Sequence, residues 1–572
     1  MYTLLCFAGL SALLQIAHAQ VTCSGSFASI TAEDFVANLH PGWNLGNTLD
    51  AIPDEGSWNN APVQAATLDL IKESGFNSVR LPVTWTHHFT GGSPDWTVDP
   101  AWLQRVSDVL DLITSRGLYA IVDVHHDSWE WADVTAAGAD LAQIEEKFYR
   151  LWYQIGTTLA CKSSLVAFES INEPPANTAE DGAEINKLNS IFLQAIADAG
   201  GFNSQRVVNL VGGGQDSIKT SQWFEVPEGI TNPWAIQFHY YSPYDFIFSA
   251  WGKTIWGSDD DKDILTTDFE LIRNNFTDVP LILGEYDASS VNTEPAARWK
   301  YFDHIQRVAS QFGISTIMWD NGADHLDRTT GQWRDPTTLD IVVGTTENTA
   351  NSLPDSTEDA SAAEQQSSAF IFHQVGTDVT SQSLPYLFNG NSLVSITESD
   401  GSVLASGSDY SVSGSNIIFS TAYLATKYTA SSAPGVIDTL TLQFSGGAAS
   451  PTIQIVQWDT PVLSSTSASA SAVSGSDLSI PITWNGLPKL ATVKALTNSG
   501  VYLFDDWTQW LGPLQQARAT YSNHWNWDTN NVIITAASID AVVAAGQTSV
   551  FTFEFYPRVD GGGNTVEFTL TV

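Results

Sequence analysis

Basic residues are scarce in this chain, with 23 Lys and Arg against 63 Asp and Glu and a formal net charge of -40 over 572 residues. A molecule with that field repels phosphate backbones and anionic lipid headgroups, so neither nucleic acid nor a membrane is an expected partner. Cysteine is scarcer still, with 3 in all. Cys6 lies in an apolar run from Leu4 to Ile16, which Ala17-His18-Ala19 follows as a small-residue cleavage site. Residues 1–19 therefore read as a signal peptide, too short to span a bilayer, and no later run is apolar enough to do so. A secreted, extracellular monomer is expected. Its mature form keeps Cys23 and Cys161, as one disulfide or as two buried thiols. Two motifs are also missing. No GxGxxG follows the first strand candidate, against a dinucleotide fold, and no GxSxG elbow exists, against a serine hydrolase.

Aromatic residues, by contrast, reach 11%, and Trp alone accounts for 21. Disordered acidic chains are aromatic-poor, so a folded protein is expected. The Trp excess has two readings: bulky core, or flat apolar faces for stacking on ligand rings. Asn275-Phe276-Thr277 is a glycosylation acceptor sequence.

From residue 42 to about 345, short apolar runs alternate with helical periodicity, the signature of parallel strands joined by crossover helices. Eight strand candidates lie at 43–46, 78–83, 119–125, 165–171, 207–211, 235–240, 281–285 and 316–319. Eight units over about 300 residues match a (β/α)₈ TIM barrel, so the fold class is α/β. Residues 346–366 are polar and acidic and read as a linker. Beyond them the periodicity turns to short strands between Gly, Asn and Ser turns. Two all-β sandwich modules are expected, at 367–459 and 460–572, with a Ser/Ala run near 464–476 as the connection.

Barrel active sites form where strands end. There the sequence places Arg80, His125-His126, Asn172-Glu173, His239 with Tyr241, Glu285 and Trp319. Two glutamates on separate strands suit glycosidic hydrolysis, which needs one carboxyl to protonate the leaving oxygen and another beneath the developing oxocarbenium ion. A single strand-end Glu is ordinarily a solvated charge; the pair with Asn172, Arg80 and His239 is not so explained. His125-His126-Asp127 suggests a metal cluster, but neighbours on a strand face opposite ways and no further ligands stand at recognised spacing, so no metal is expected.

The ordered set GWNLGNTLDA (42–51), VRLPVTW (79–85), DVHHD (123–127), INEP (171–174), HYYSP (239–243), LGEY (283–286) and MWDNG (318–322) resembles family 5 glycoside hydrolases of the subfamily 4 type. The resemblance covers about 300 residues. It implies Glu173 as acid/base and Glu285 as nucleophile of a retaining endo-β-1,4-glucanase. It implies Arg80, His125, Asn172, His239, Tyr241 and Trp319 around them, with Asn47 and His126 lining glycone subsites. A β-glucan polysaccharide is the implied partner, without a cofactor. The substrates implied are cellulose-type and mixed-linkage glucans, with xyloglucan in prospect. An endo-β-mannanase on the same barrel and a noncatalytic polysaccharide-binding protein are the alternatives. The tail resembles an immunoglobulin-like spacer followed by a family 46 carbohydrate-binding module. In that last module Trp507, Trp510, Trp525 and Trp527 are candidates for sugar stacking, against a bland reading as sandwich core.

Overall fold

The computed structural model describes residues 20–429 and 432–572; the segment 1–19, read above as a signal peptide, lies outside them. Eight parallel strands close into a barrel: β1 (Gly42–Asn44), β2 (Ser78–Leu81), β3 (Tyr119–Val122), β4 (Val166–Glu169), β5 (Val208–Asp216), β6 (Trp234–Tyr240), β7 (Leu281–Tyr286) and β8 (Ile314–Met318). Each overlaps one of the eight sequence candidates, with ends that differ by up to five residues.

Helix boundaries follow local chemistry. The Asp99 side chain accepts from Ala101 N and Pro100 opens the helix Pro100–Thr114. Ser258 and Asp261 form a reciprocal capping box on Asp259–Asn275. The barrel interior is graded along its axis because residues two apart on a strand face the same way. Low in the barrel sit Ile121, Ala167, Ala235, Ile282 and Ile317, closed from below by Phe35, Val36 and Leu39. Two positions further up the same strands stand Asp123, Glu169 and Gln237, buried but polar. Thus on three of the strands the side that seals the floor then supplies the ceiling with polar groups.

Cys23 and Cys161 are joined by a disulfide. Asn275 is exposed at the end of its helix.

Two β-sandwiches follow, each of two four-stranded sheets. Their cores are separate: Ile371, Ile396, Phe419, Leu440 and Ile453 in one, Trp525, Val532, Phe551 and Phe553 in the other. Two expectations about connections are corrected. The acidic stretch 346–366 is no loose linker. Leu353–Pro354 adds a strand to the first sandwich, and Lys300 of the barrel holds Asp355 at 3.1 Å and Glu358 at 2.9 Å. Its carboxylates are fixed by a cation on the barrel, which composition alone does not reveal. The Ser/Ala run is likewise not a connection, since Ser467–Ser469 pairs with the C-terminal strand Gly562–Thr571.

The last module docks on the barrel. Arg558 donates to Gly252 O at 2.9 Å and Thr254 Oγ1 at 2.7 Å, and Glu554 compensates both Arg558 and Arg518. Gly252 is required there: a Cβ would fall 2.8 Å from Leu514 O and from the Arg518 side chain. Lys489 adds bonds from its ammonium to Ser290 O at 3.2 Å and Thr293 O at 2.7 Å.

Candidate active site

The polar ceiling of the barrel is organised by Arg80, wholly buried on β2. Its guanidinium donates to Glu169 through Nε at 2.7 Å and Nη2 at 2.8 Å, to Asp123 Oδ2 at 2.8 Å, to Asn172 Oδ1 at 2.9 Å and to Glu285 Oε1 at 2.5 Å. Burial opposes its charge, but Glu169, Asp123 and Glu285 overcome that and raise its pKa. A planar fork with five donors is the side chain suited to this web.

Glu285 ends β7. Its second oxygen accepts from the Tyr241 hydroxyl at 2.8 Å. Burial raises its pKa, while His239, Arg80 and the Tyr241 hydrogen bond pull it down. Glu173 stands beyond the end of β4 with φ of 40°, the left-handed region that costs a non-glycine residue about 1–3 kcal/mol. Its backbone N donates to Gln215 Oε1 at 2.7 Å, and Gln215 Nε2 donates to Glu169 Oε1 at 3.0 Å. Burial pushes the Glu173 carboxyl up to about 7, with Arg80 and His126 opposing. His239 Nδ1 lies 2.8 Å from Glu173 Oε1 and 3.7 Å from Glu285 Oε2. Burial lowers His239 to about 4, so it is a neutral imidazole between the two acids. One oxygen of Glu173 and one of Glu285 lie within 4.8 Å of each other.

A cavity of about 400 Å³ surrounds the pair, lined among others by His125, His126, Asn172, Tyr241 and Trp319. Trp319 stacks parallel to His125 at 6.0 Å between centroids. Gly46 makes room for it, since a Cβ there would meet the indole at 2.7 Å. Arg80 lies beneath the carboxylates. Asn47 stands apart: at φ of 52°, it turns its amide to Asn59 at 2.9 Å and does not line this cavity.

His125 and His126 do not face opposite ways as expected; both line the cavity. β3 stops at Val122, so both residues lie past the regular strand, with ring centroids 4.5 Å apart. Asp50, His125 and His126 bring ligand-type atoms within 4.8 Å of one another. Asp50 accepts from the backbone N of Asn47 and Thr48, and its Oδ2 also lies 3.5 Å from His126 Nε2.

The tail tryptophans separate. Trp525 is 1% exposed and belongs to the module core, which overturns it as a stacking residue. Trp527 is half-buried against it, at the junction of the three modules and away from this cavity. Trp507 and Trp510 are exposed. The module nevertheless reaches the site through Tyr521 and Ser522, which line the cavity and carried no sequence signal. Glu169 and Asp123 were missed too, although a polar residue in an apolar strand run could have marked them; Gln215 carried no such signal.

Residues 43–325 match the model for cellulase (glycosyl hydrolase family 5), and residues 365–455 match carbohydrate binding domain X2. Endoglucanase B of Paenibacillus lautus is 29% identical over 486 residues, covering 82% of this chain and 81% of that protein. Endoglucanase B of Clostridium cellulovorans is 30% identical over 316 residues, 53% of this chain and 70% of that one. A tri-modular subfamily 4 endo-β-1,4-glucanase from Bacillus licheniformis superposes with a TM-score of 0.82 at 32% identity, over 95% of this chain and all of that one. The same enzyme has been solved with cellotetraose.

Proposed function

The chain belongs to glycosyl hydrolase family 5, and from that premise we propose that it is a secreted, monomeric, retaining endo-β-1,4-glucanase. The observation that carries this reading is that one carboxyl oxygen of Glu173 and one of Glu285 lie within 4.8 Å of each other, with His239 in contact with both groups. Retaining glycosidases hold their carboxyls roughly 5–5.5 Å apart, whereas inverting ones leave about 6.5–9.5 Å for a water.

In the first step Glu285 attacks the anomeric carbon and Glu173 gives its proton to the departing glycosidic oxygen. In the second, Glu173 takes a proton from water, which displaces Glu285 from the sugar. Arg80 and Tyr241 each donate to one oxygen of Glu285, which orients the free lone pair and favours the ionised form. The carboxyl of Glu173, raised by burial, keeps the proton that the first step needs. Asn172 is placed to bond the sugar 2-hydroxyl, and Trp319 offers a face to the same sugar.

Cellulose-type and mixed-linkage glucans are the proposed substrates, with xyloglucan among them because the cavity is walled partly by Tyr521 and Ser522 of the last module. The middle module acts as an immunoglobulin-like spacer and the last as a family 46 carbohydrate-binding module. Among the described residues no helix is long and apolar enough to cross a membrane. Reducing-sugar release from carboxymethylcellulose, lichenan, xyloglucan, mannan and xylan tests the reading. Activity on mannan alone, or on none, would overturn it.

A further inference from the structure

Strands β5 and β6 advance unequally along their shared edge. Val211 pairs with Gln237 and Asp216 with His239, so residues 212–215 of β5 bulge out where β6 has Phe238 alone. The bulge reads Gly-Gly-Gly-Gln. It leans on the loop that carries Glu173. Gly214 N donates to Pro174 O at 2.7 Å, and Lys219 Nζ, on the helix Ser217–Trp223, donates to Ala176 O at 2.8 Å. Gly213 permits the approach, since a Cβ there would fall 2.6 Å from that of Ala176. Gln215 follows with φ of 48°. A non-glycine residue persists in that region only where its surroundings over-determine it, and such residues cluster at functional sites.

The bulge delivers the Gln215 amide to the acid/base. The side chain is wholly buried and does not line the catalytic cavity. Its Oε1 accepts from Glu173 N at 2.7 Å, and its Nε2 donates to Glu169 Oε1 at 3.0 Å. The partners settle which way the amide points. A backbone N–H only donates, and Glu169, which takes the Arg80 guanidinium at 2.7 and 2.8 Å, accepts. Contacts therefore run from Glu285 through Arg80, Glu169 and Gln215 to Glu173. Glu173 has its own positive φ of 40°, and its carboxyl meets His239 while that turn is held.

We infer that Gln215 is a positioning residue for the acid/base: its amide, anchored by Glu169 and seated on the glycine bulge of β5, fixes the backbone at Glu173 and so aims the Glu173 carboxyl at the glycosidic oxygen. The inference rests on the glucanase reading above and concerns the acid/base side of the site alone. Glu285 is held independently by Arg80 and Tyr241. Loss of the amide therefore impairs proton delivery and leaves nucleophilic attack intact.

The test uses the full-length chain and two substrates that differ in their need for a proton. Cellotetraose releases a sugar alkoxide, which needs the acid. 2,4-Dinitrophenyl β-cellobioside releases a stable phenolate, which does not, so its kcat/KM reports attack by Glu285 without help from Glu173. Gln215→Leu should lower kcat/KM on cellotetraose by about tenfold or more, the scale of a misplaced catalytic group, and leave that on the dinitrophenyl glycoside near the parental value. The ratio of the two is independent of how much of the variant is folded. Gln215→Glu keeps an acceptor for Glu173 N but sets an oxygen against Glu169. It should retain more activity on cellotetraose than Gln215→Leu, with a deficit that shrinks as pH falls and a proton bridges the two carboxyls. Equal losses on both substrates would assign the residue to the nucleophile's web or to the fold at large and overturn the inference. So would parental activity in Gln215→Leu. Should the parent hydrolyse neither substrate, the glucanase reading fails, and the unfolding midpoint decides the positioning. Burial holds the Glu173 carboxyl at about 7 against the ordinary 4.5, so its contribution to stability declines as pH rises across that window. Gln215→Leu should diminish this slope by releasing the carboxyl from its seat; an undiminished slope would overturn the inference.

Discussion

Arg80 Nη1 and Glu285 Oε1 lie 2.5 Å apart, one side chain rising from β2 and the other from β7 on the far side of the closed sheet. The same guanidinium also compensates Glu169 and Asp123, and all four groups are buried. Removing one partner from a buried ionic web strands the others. Arg80→Leu should therefore cost about 3–5 kcal/mol of stability in urea unfolding as well as abolishing turnover. A variant as stable as the parent would show that the web carries no net compensation.

Glu173→Gln and Glu285→Gln should each lower kcat on soluble glucan by a factor on the order of 10² or more while leaving the circular dichroism spectrum parental. Azide should restore turnover to Glu285→Gly and give a glycosyl azide of inverted anomeric configuration, since the small anion enters the space of the missing carboxylate. Either Gln variant retaining parental rates would remove that residue from the chemistry.

The pH profile follows from the two shifts. Cleavage needs Glu173 protonated, so kcat/KM should fall as pH rises through about 7. It also needs Glu285 ionised. Burial raises that group above the ordinary 4.5, so the acid limb should lie above that value. The optimum falls between the limbs, in weakly acidic solution. Stability carries the opposite bookkeeping for Glu173. Between 4.5 and about 7 the folded chain keeps a proton that the unfolded chain releases, so its contribution declines as pH rises across that window. Glu173→Gln should flatten this slope in unfolding midpoints; an unaltered slope would mean the carboxyl is not raised.

The barrel was legible because its strands are covered on both faces and read as apolar runs, and the strand-end residues were legible because ionisable groups interrupt those runs. Glu169 could have been found the same way, four residues before Glu173 on one inward-facing edge. Gln215 could not. It reaches Glu173 only because its own backbone sits at φ of 48° within an irregular β5–β6 register. Trp525 was misread because a Trp in a β-module looks the same in sequence whether its sheet faces the core or the cleft. Tyr521 was missed because its position depends on docking between two modules, which no local pattern encodes.

Chelator should leave activity intact, because the proposed chemistry uses only carboxyls. The grouping of Asp50 with His125 and His126 makes this a sharp test. Reversible loss in EDTA, restored by a divalent ion, would give Asp50, His125 and His126 a metal-binding role in place of the sugar-facing one.

The last module's part in the cleft is best tested in the intact chain. Deleting it would uncover Gly252 and Thr254, which Arg558 binds, and would release the loop that Lys489 holds. Tyr521 offers a cleaner probe. Its ring rests on Trp525 and Trp527 at 5.2 Å from each and lines the cavity that Glu173 and Glu285 share. A branched glucan is wider than a plain one, so its side sugars meet this wall while an unbranched chain lies mainly along the barrel groove. Tyr521→Ala should therefore lower kcat/KM on xyloglucan by about fivefold or more, the equivalent of about 1 kcal/mol of ring contact, and on carboxymethylcellulose by clearly less. Lys489→Met should shift the two substrates in the same unequal sense, because its ammonium fixes the carbonyls of Ser290 and Thr293 beside Ser289 and Asn292 of the cavity wall. Equal effects on both polysaccharides, or loss confined to insoluble substrate, would mean that the module tethers the enzyme to its substrate and forms no working wall of the cleft.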